Sequence, residues 1–416
     1  MVLLPVFPRS EPSSGRTVSR HYRHAKRPKG SSAPFGSPSW RKRLTVTVER
    51  EFIGLPSPVV GRAGAGGHPC QGVYHRPRGS KPDVAIIATH YNIDFSEHYL
   101  ADLCAARGVG FLGWNTRFRG AEPYFLLDHA VVDIAVGVRW LRSHAGVEKV
   151  VLLGNSGGGS LMAAYQSQSV QPNLEPEYGR ASIVPAAMEL PGADLYISLA
   201  AHPGRPEVLT NWMDPSVVSE DDPLSVDPTL DPFDEEREIP FTKEFVDTYR
   251  QAQRRRNDRI TQWARAEIDR VVAAGHHDRL FTTPRLWADL RMIDGSIDPN
   301  NREFPSCYLG EPQRANYGIY GVGTVSSLRT WLSMWSLSDS QCNAAPHLAR
   351  IKIPALVVEA DGDSGVFPSD TRAIVDALSS TDLTTHTLKG DHYLRDREGA
   401  RDDAADLITN WVKDRY

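Results

Sequence analysis

Cysteine is scarce in this chain: Cys70, Cys104, Cys307 and Cys342 are the only four in 416 residues. They are widely spaced and form no Cys-x-x-Cys pair, so neither a zinc site nor a disulfide framework is signalled. A reducing, cytoplasmic setting is the simpler inference. Long apolar runs are missing as well. None approaches bilayer length, and no membrane partner is expected. There is no surplus of positive charge, since 47 Lys and Arg stand against 51 Asp and Glu for a net charge of -4, which argues against a nucleic-acid-binding surface. A phosphate cradle is absent too. Gly61 to Gly67 (GRAGAGG) is rich in glycine, but His68-Pro69-Cys70 follows where a helix would have to begin.

The basic residues that do cluster lie at the start. Met1 to Lys42 is rich in Arg, Lys, Ser and Pro, with Glu11 as its single acidic residue, so it cannot bury a core and is expected to be a disordered tail. Its composition also suits a transit peptide, which is the targeting alternative.

Against these absences, one stretch stands out. Lys149 to Gly159 (KVVLLGNSGGG) is a buried-strand pattern that stops abruptly at Gly154-Asn155-Ser156-Gly157-Gly158, and Ser160 to Gln168 then favours a helix. A serine at the tip of a tight strand-to-helix turn needs small residues two positions before and two after, because larger ones would collide with the strand and helix. Gly154 and Gly158 occupy those positions, so the segment reads as a nucleophile elbow.

A serine hydroxyl is a weak nucleophile near neutral pH and needs a base within hydrogen-bond reach, oriented by a carboxylate. Ile353 to Ala360 (IPALVVEA) reads as a buried strand and runs into Asp361-Gly-Asp363-Ser-Gly-Val-Phe-Pro368. Leu383 to Leu388 (LTTHTL) reads as another strand, followed by Lys389-Gly-Asp-His392-Tyr393. The rival base, His386, falls inside that strand. Serine, carboxylate and imidazole therefore occur in that order, each just past a strand end.

With these motifs and the strand-loop VAIIATHYN at 84–92, the chain resembles the α/β-hydrolase-fold enzymes from about Leu44 to Tyr416. The resemblance implies a mostly parallel central sheet with helices on both faces. It selects Asp363 over Asp361 as the acid, because the family's acid usually lies three residues before a valine that leads to a proline. It implies the backbone N–H of Gly157 as one oxyanion donor and that of Tyr91, where relatives often carry glycine, as the second.

The rest of the chain fits such a core. Leu44 to Glu51 and Gln71 to His75 read as paired strands, followed by strand 83–89, helix 96–107, strand 109–114, helix 124–144 and strand 193–201. The last ends in His202-Pro203-Gly204, with no carboxylate. Residues 203–345 break the alternation and are expected to be an inserted helical cap, dividing the core into 43–202 and 346–416. Within it, Ser219 to Glu238 reads as a solvated loop, Phe245 to Ala274 as a long helix with Arg254-Arg255-Arg256 on its solvated face, and Leu328, Trp331, Leu332 and Trp335 as a helical stripe. The stripe is either packing or, in its functional reading, a substrate-binding wall formed by Trp331 and Trp335 below the flexible lip Tyr317 to Gly323.

The sequence thus predicts a cofactor-independent serine hydrolase for a small or medium apolar ester or lactone, with Ser156, His392 and Asp363 as its triad and a small molecule as its partner. Cleavage of a carbon-carbon bond in a vinylogous diketone is the alternative within enzymes, which Gly-Asn-Ser at the elbow suggests. A non-catalytic ligand-binding protein is the alternative outside them.

Overall fold

The computed structural model of the chain describes residues 47–58, 69–175 and 190–416. The tail 1–42 and the glycine-rich stretch 61–67 lie outside them.

Runs of β-branched and aliphatic residues build the centre. Strands β1 (Val48–Leu55), β2 (Cys70–Pro77), β3 (Val84–Ala88), β4 (Gly110–Asn115), β5 (Lys149–Asn155), β6 (Leu195–Leu199), β7 (Ala355–Ala360) and β8 (Leu383–Leu388) form one sheet in the order β1-β2-β4-β3-β5-β6-β7-β8. From β3 onward the strands pair in parallel, while β2 runs antiparallel to β4 and β1 antiparallel to β2. The fold is that of the α/β-hydrolases.

Parallel strands covered on both faces must be apolar on both. Ala85, Ile87, Val150 and Leu152 point into one hydrophobic layer, and Val84, Ile86, Val151 and Leu153 into the other. Helices α2 (Leu127–Trp140) and α3 (Gly158–Val170) close the first layer, and α1 (Ala101–Ala106) the second. After the intervening segment 203–345, α6 (Pro368–Ala377) adds Ile374 to the first layer and α7 (Ala400–Lys413) packs on the second. Helix α1 is shorter than the spacing predicts. Residues 95–101 form turns instead, the His98 N–H donating to the Phe95 carbonyl at 3.0 Å and the Ala101 N–H to the His98 carbonyl at 2.8 Å.

The segment 203–345 contains α4 (Arg205–Trp212), the 31-residue α5 (Lys243–Ala273) and several shorter pieces, including two small two-stranded sheets. It shares the first hydrophobic layer: Ile260, Ala264 and Ile268 of α5, with Trp331 and Trp335, continue the layer beneath α2 and α3. The described residues accordingly belong to one compact unit. The arginine run on α5 is only partly the solvated face expected. Arg254 and Arg255 are exposed, but Arg256 is buried, its guanidinium donating to both Glu220 oxygens and to the carbonyls of Asp214, Pro284 and Arg285.

Candidate active site

The carboxyl ends of parallel strands form the edge where open α/β sheets place their sites, because each chain leaves the sheet there into a loop. β5, β6, β7 and β8 are consecutive neighbours, so the loops that follow them converge.

Ser156 follows β5 directly and has φ of 56°, the left-handed region that a non-glycine residue rarely occupies. Three hydrogen bonds hold it there. Its N–H donates to Leu199 of β6, and its carbonyl accepts from the N–H groups of Gly159 and His202, each at 3.1 Å. The flanking glycines have a steric reason. A Cβ on Gly154 would stand 2.5 Å from the Gly159 Cα, and one on Gly158 would stand 2.3 Å from the Thr89 carbonyl oxygen. Both distances are below any real contact. Asn155 braces the same turn from below, donating to the Leu199 carbonyl at 2.9 Å while its side-chain oxygen meets His98 Nε2 at 3.1 Å.

His392 Nε2 lies 3.0 Å from Ser156 Oγ, and His392 Nδ1 lies 2.6 Å from Asp363 Oδ2. Asp363 is nearly inaccessible, and its Oδ1 accepts the N–H groups of Gly365 and Val366 at 2.8 and 2.9 Å. Asp361 does different work. It accepts the Gly390 N–H at 3.0 Å and the Asn301 amide at 2.8 Å, bracing the two loops together. His386 is exposed on β8. The structure thus brings Ser156, His392 and Asp363 together in a line and leaves both rivals outside it.

Gly157 follows the serine directly, and Tyr91 lies on the loop after β3. Among the described residues neither N–H meets a hydrogen-bond acceptor. The Tyr91 side chain is fully buried, its hydroxyl 2.9 Å from Ser160 Oγ, so it supplies backbone and packing rather than a hydroxyl to a ligand. His90 and His98, with Asp94 between them, do not converge. His98 binds Asn155, while Asp94 holds Ser96, Asn115 and Arg119.

The expected tryptophan wall needs correction. Trp331 and Trp335 are both fully buried. The Trp331 indole N–H donates to Thr261 of α5 at 3.0 Å and its ring packs against Phe281, so packing within the cap consumes it. Trp335 lies under the Arg205 guanidinium, 4.7 Å from ring centroid to Cζ. Neither indole presents a surface to substrate.

Other side chains, which no motif marked, surround the catalytic line. Tyr308, from the segment 203–345, places its hydroxyl 3.3 Å from Asp363 Oδ1 and 3.0 Å from His392 Nδ1, with its ring 4.4 Å from the imidazole. Burial raises its phenol pKa well above the ordinary value, and nearby Asp363 reinforces this, so the hydroxyl remains a donor. His202 and His90 are buried with their pKa values pushed well below the usual imidazole range. Burial dominates in both, and cationic Arg205 and the His392 ring add to it. Arg205 sits at the start of α4, just beyond β6, and its Nη2 donates to Glu122 at 3.1 Å. A signal existed for this residue, namely its place after a strand end at the carboxyl edge. Tyr308 had none, since it lies in irregular chain far from every motif.

No family model matches the chain, and neither does any curated protein. Solved structures similar to it include a monoacylglycerol lipase of Paleococcus ferrophilus (12% identity over 88% of this chain and 98% of that one, TM-score 0.42). Others are the α/β hydrolase GrgF from Penicillium (13%, 88% and 97%, TM-score 0.46) and a dienelactone hydrolase from Anabaena variabilis (10%, 88% and 98%, TM-score 0.40).

Proposed function

We propose that the protein is a serine hydrolase that cleaves a carboxylic ester or lactone through an acyl-enzyme. The observation that carries this reading is the continuous relay from Ser156 Oγ through His392 to Asp363, at 3.0 and 2.6 Å, with the serine held at a strained backbone position. In this reading His392 Nε2 takes the serine proton as Oγ attacks the carbonyl carbon. Asp363, already saturated by two backbone N–H groups on its other oxygen, holds the imidazole in the tautomer that leaves Nε2 free and balances the imidazolium that forms. The N–H groups of Gly157 and Tyr91 receive the negative oxygen of the tetrahedral intermediate. His392 then protonates the leaving alcohol, and water, deprotonated by the same nitrogen, releases the acid.

Ser156→Ala tests the assignment. It should lower ester turnover at least a thousandfold while circular dichroism and melting temperature stay near those of the wild type. A folded Ser156→Ala protein with wild-type turnover would overturn the reading.

A further inference from the structure

A cation sits beside the nucleophile without its full set of acceptors. The Arg205 side chain is only 3% exposed and spends Nη2 on Glu122, itself tied at its second oxygen to the Gly323 N–H at 3.2 Å. Its Nε is buried with no hydrogen-bond partner among the described residues. Its Nη1 faces Gly157, where it would stand 2.7 Å from a Cβ built on that residue. The Tyr91 and Trp335 rings lie on the guanidinium at 4.9 and 4.7 Å and fix its orientation. Keeping a guanidinium this far from water is costly unless its donors are filled, and a carboxylate fills them best, in a geometry that lysine does not reproduce.

A second donor converges on the same spot. His90 Nε2 would also stand 2.7 Å from a Cβ on Gly157. The Asn92 and Ile93 N–H groups point at His90 Nδ1 from 3.5 and 3.4 Å, which assigns the ring proton to Nε2. Burial keeps this ring neutral, so it offers one N–H. Guanidinium and imidazole therefore flank the residue whose backbone N–H is the proposed oxyanion donor.

We propose that Arg205, assisted by His90, binds a second, anionic oxygen on the acyl part of the substrate, so that the preferred substrate is a monoester of a short dicarboxylic acid. This rests on the serine-hydrolase reading and narrows it from apolar acyl groups to charged ones. The proximity of Nη1 to Gly157 sets the spacing. With the scissile oxygen on the Gly157 N–H, only a short acid, of roughly two to four carbons, brings its carboxylate to Arg205 without bending away.

The test compares monoethyl malonate and monoethyl succinate with neutral ethyl esters of matched length, following proton release. The wild type should favour the anionic esters by about ten- to a hundredfold in kcat/KM, the scale of a charge-assisted hydrogen bond, with most of the difference in KM. Arg205→Gln combined with Glu122→Gln, which removes both buried charges together, should lower the anionic-to-neutral ratio by about the same factor. Arg205→Lys should lie between. A wild type that prefers the neutral esters overturns the proposal. So does a variant that loses both ester classes equally, because Arg205 would then serve the elbow or the oxyanion instead. If the double variant does not fold, the wild-type ratio and its fall in Arg205→Lys decide. Turnover that persists in Ser156→Ala would instead sink the serine-hydrolase reading, whereas Ser156-dependent turnover with a neutral preference removes this proposal alone.

Discussion

At the scale of single residues, Asp361 and Asp363 show how little separates a structural carboxylate from one in a relay. They are two positions apart on one loop, yet Asp361 accepts from Gly390 and Asn301 while Asp363 meets His392. Asp363→Asn should lower turnover by roughly three to four orders of magnitude, because an amide cannot balance the imidazolium and favours the wrong tautomer. Asp361→Asn, which keeps an oxygen for the Gly390 N–H, should cost less than about tenfold. Steady-state kinetics on folded, purified variants check the ranking, and the reverse order would move the acid upstream. The strand and its loop marked both carboxylates, and only the family resemblance, through the spacing to Val366 and Pro368, singled out Asp363. Tyr308 and Glu122 were not legible, and Arg205 was marked only by its place after a strand end. Each comes from a different element, and only the folded chain sets Tyr308 against His392 and Glu122 against Arg205.

At the scale of elements, local rules served where one element explains itself. The elbow's glycines follow from sterics at Gly154 and Gly158, and β8 occupies the predicted residues, Leu383 to Leu388. The tryptophan stripe could not be resolved that way, because helical spacing shows which residues share a face and not what that face meets. Trp331 meets Thr261 and Phe281, inside the hydrophobic layer that α5 shares with one face of the sheet. Trp331→Ala should therefore destabilise the protein by about 3–5 kcal/mol, the usual cost of emptying a large buried aromatic site. Chemical denaturation measures it. The ratio of turnover on bulky and short acyl esters should stay within about threefold of the wild type, and a larger change with intact stability would return Trp331 to the pocket.

For the whole molecule, the sheet and the long helix α5 were legible and the rest of the segment 203–345 was not, and the difference lies in what holds each together. Continuous aliphatic runs can be satisfied only by strands covered on both faces, so β3, β5 and β7 announce themselves. Much of that segment is held by buried ionic groups with no period to read. Arg285 pairs with Asp214, itself bound by Asn316, at 2.5 and 2.7 Å. Arg291 joins Asp289 to Asp370 at the start of α6, and Arg302 gathers the carbonyls of Arg291, Asp298 and Ile297. Such networks specify one arrangement only after the chain has folded, and in that arrangement Tyr308 and the acid loop meet the same imidazole. Whether this assembly presents one activated serine can be read most directly from a fluorophosphonate followed by peptide mapping. A single adduct should form on Ser156, in step with loss of ester turnover, and be absent from His392→Ala over the same time. An adduct on a different serine, or complete inactivation with Ser156 unmodified, would contradict the Ser156 assignment.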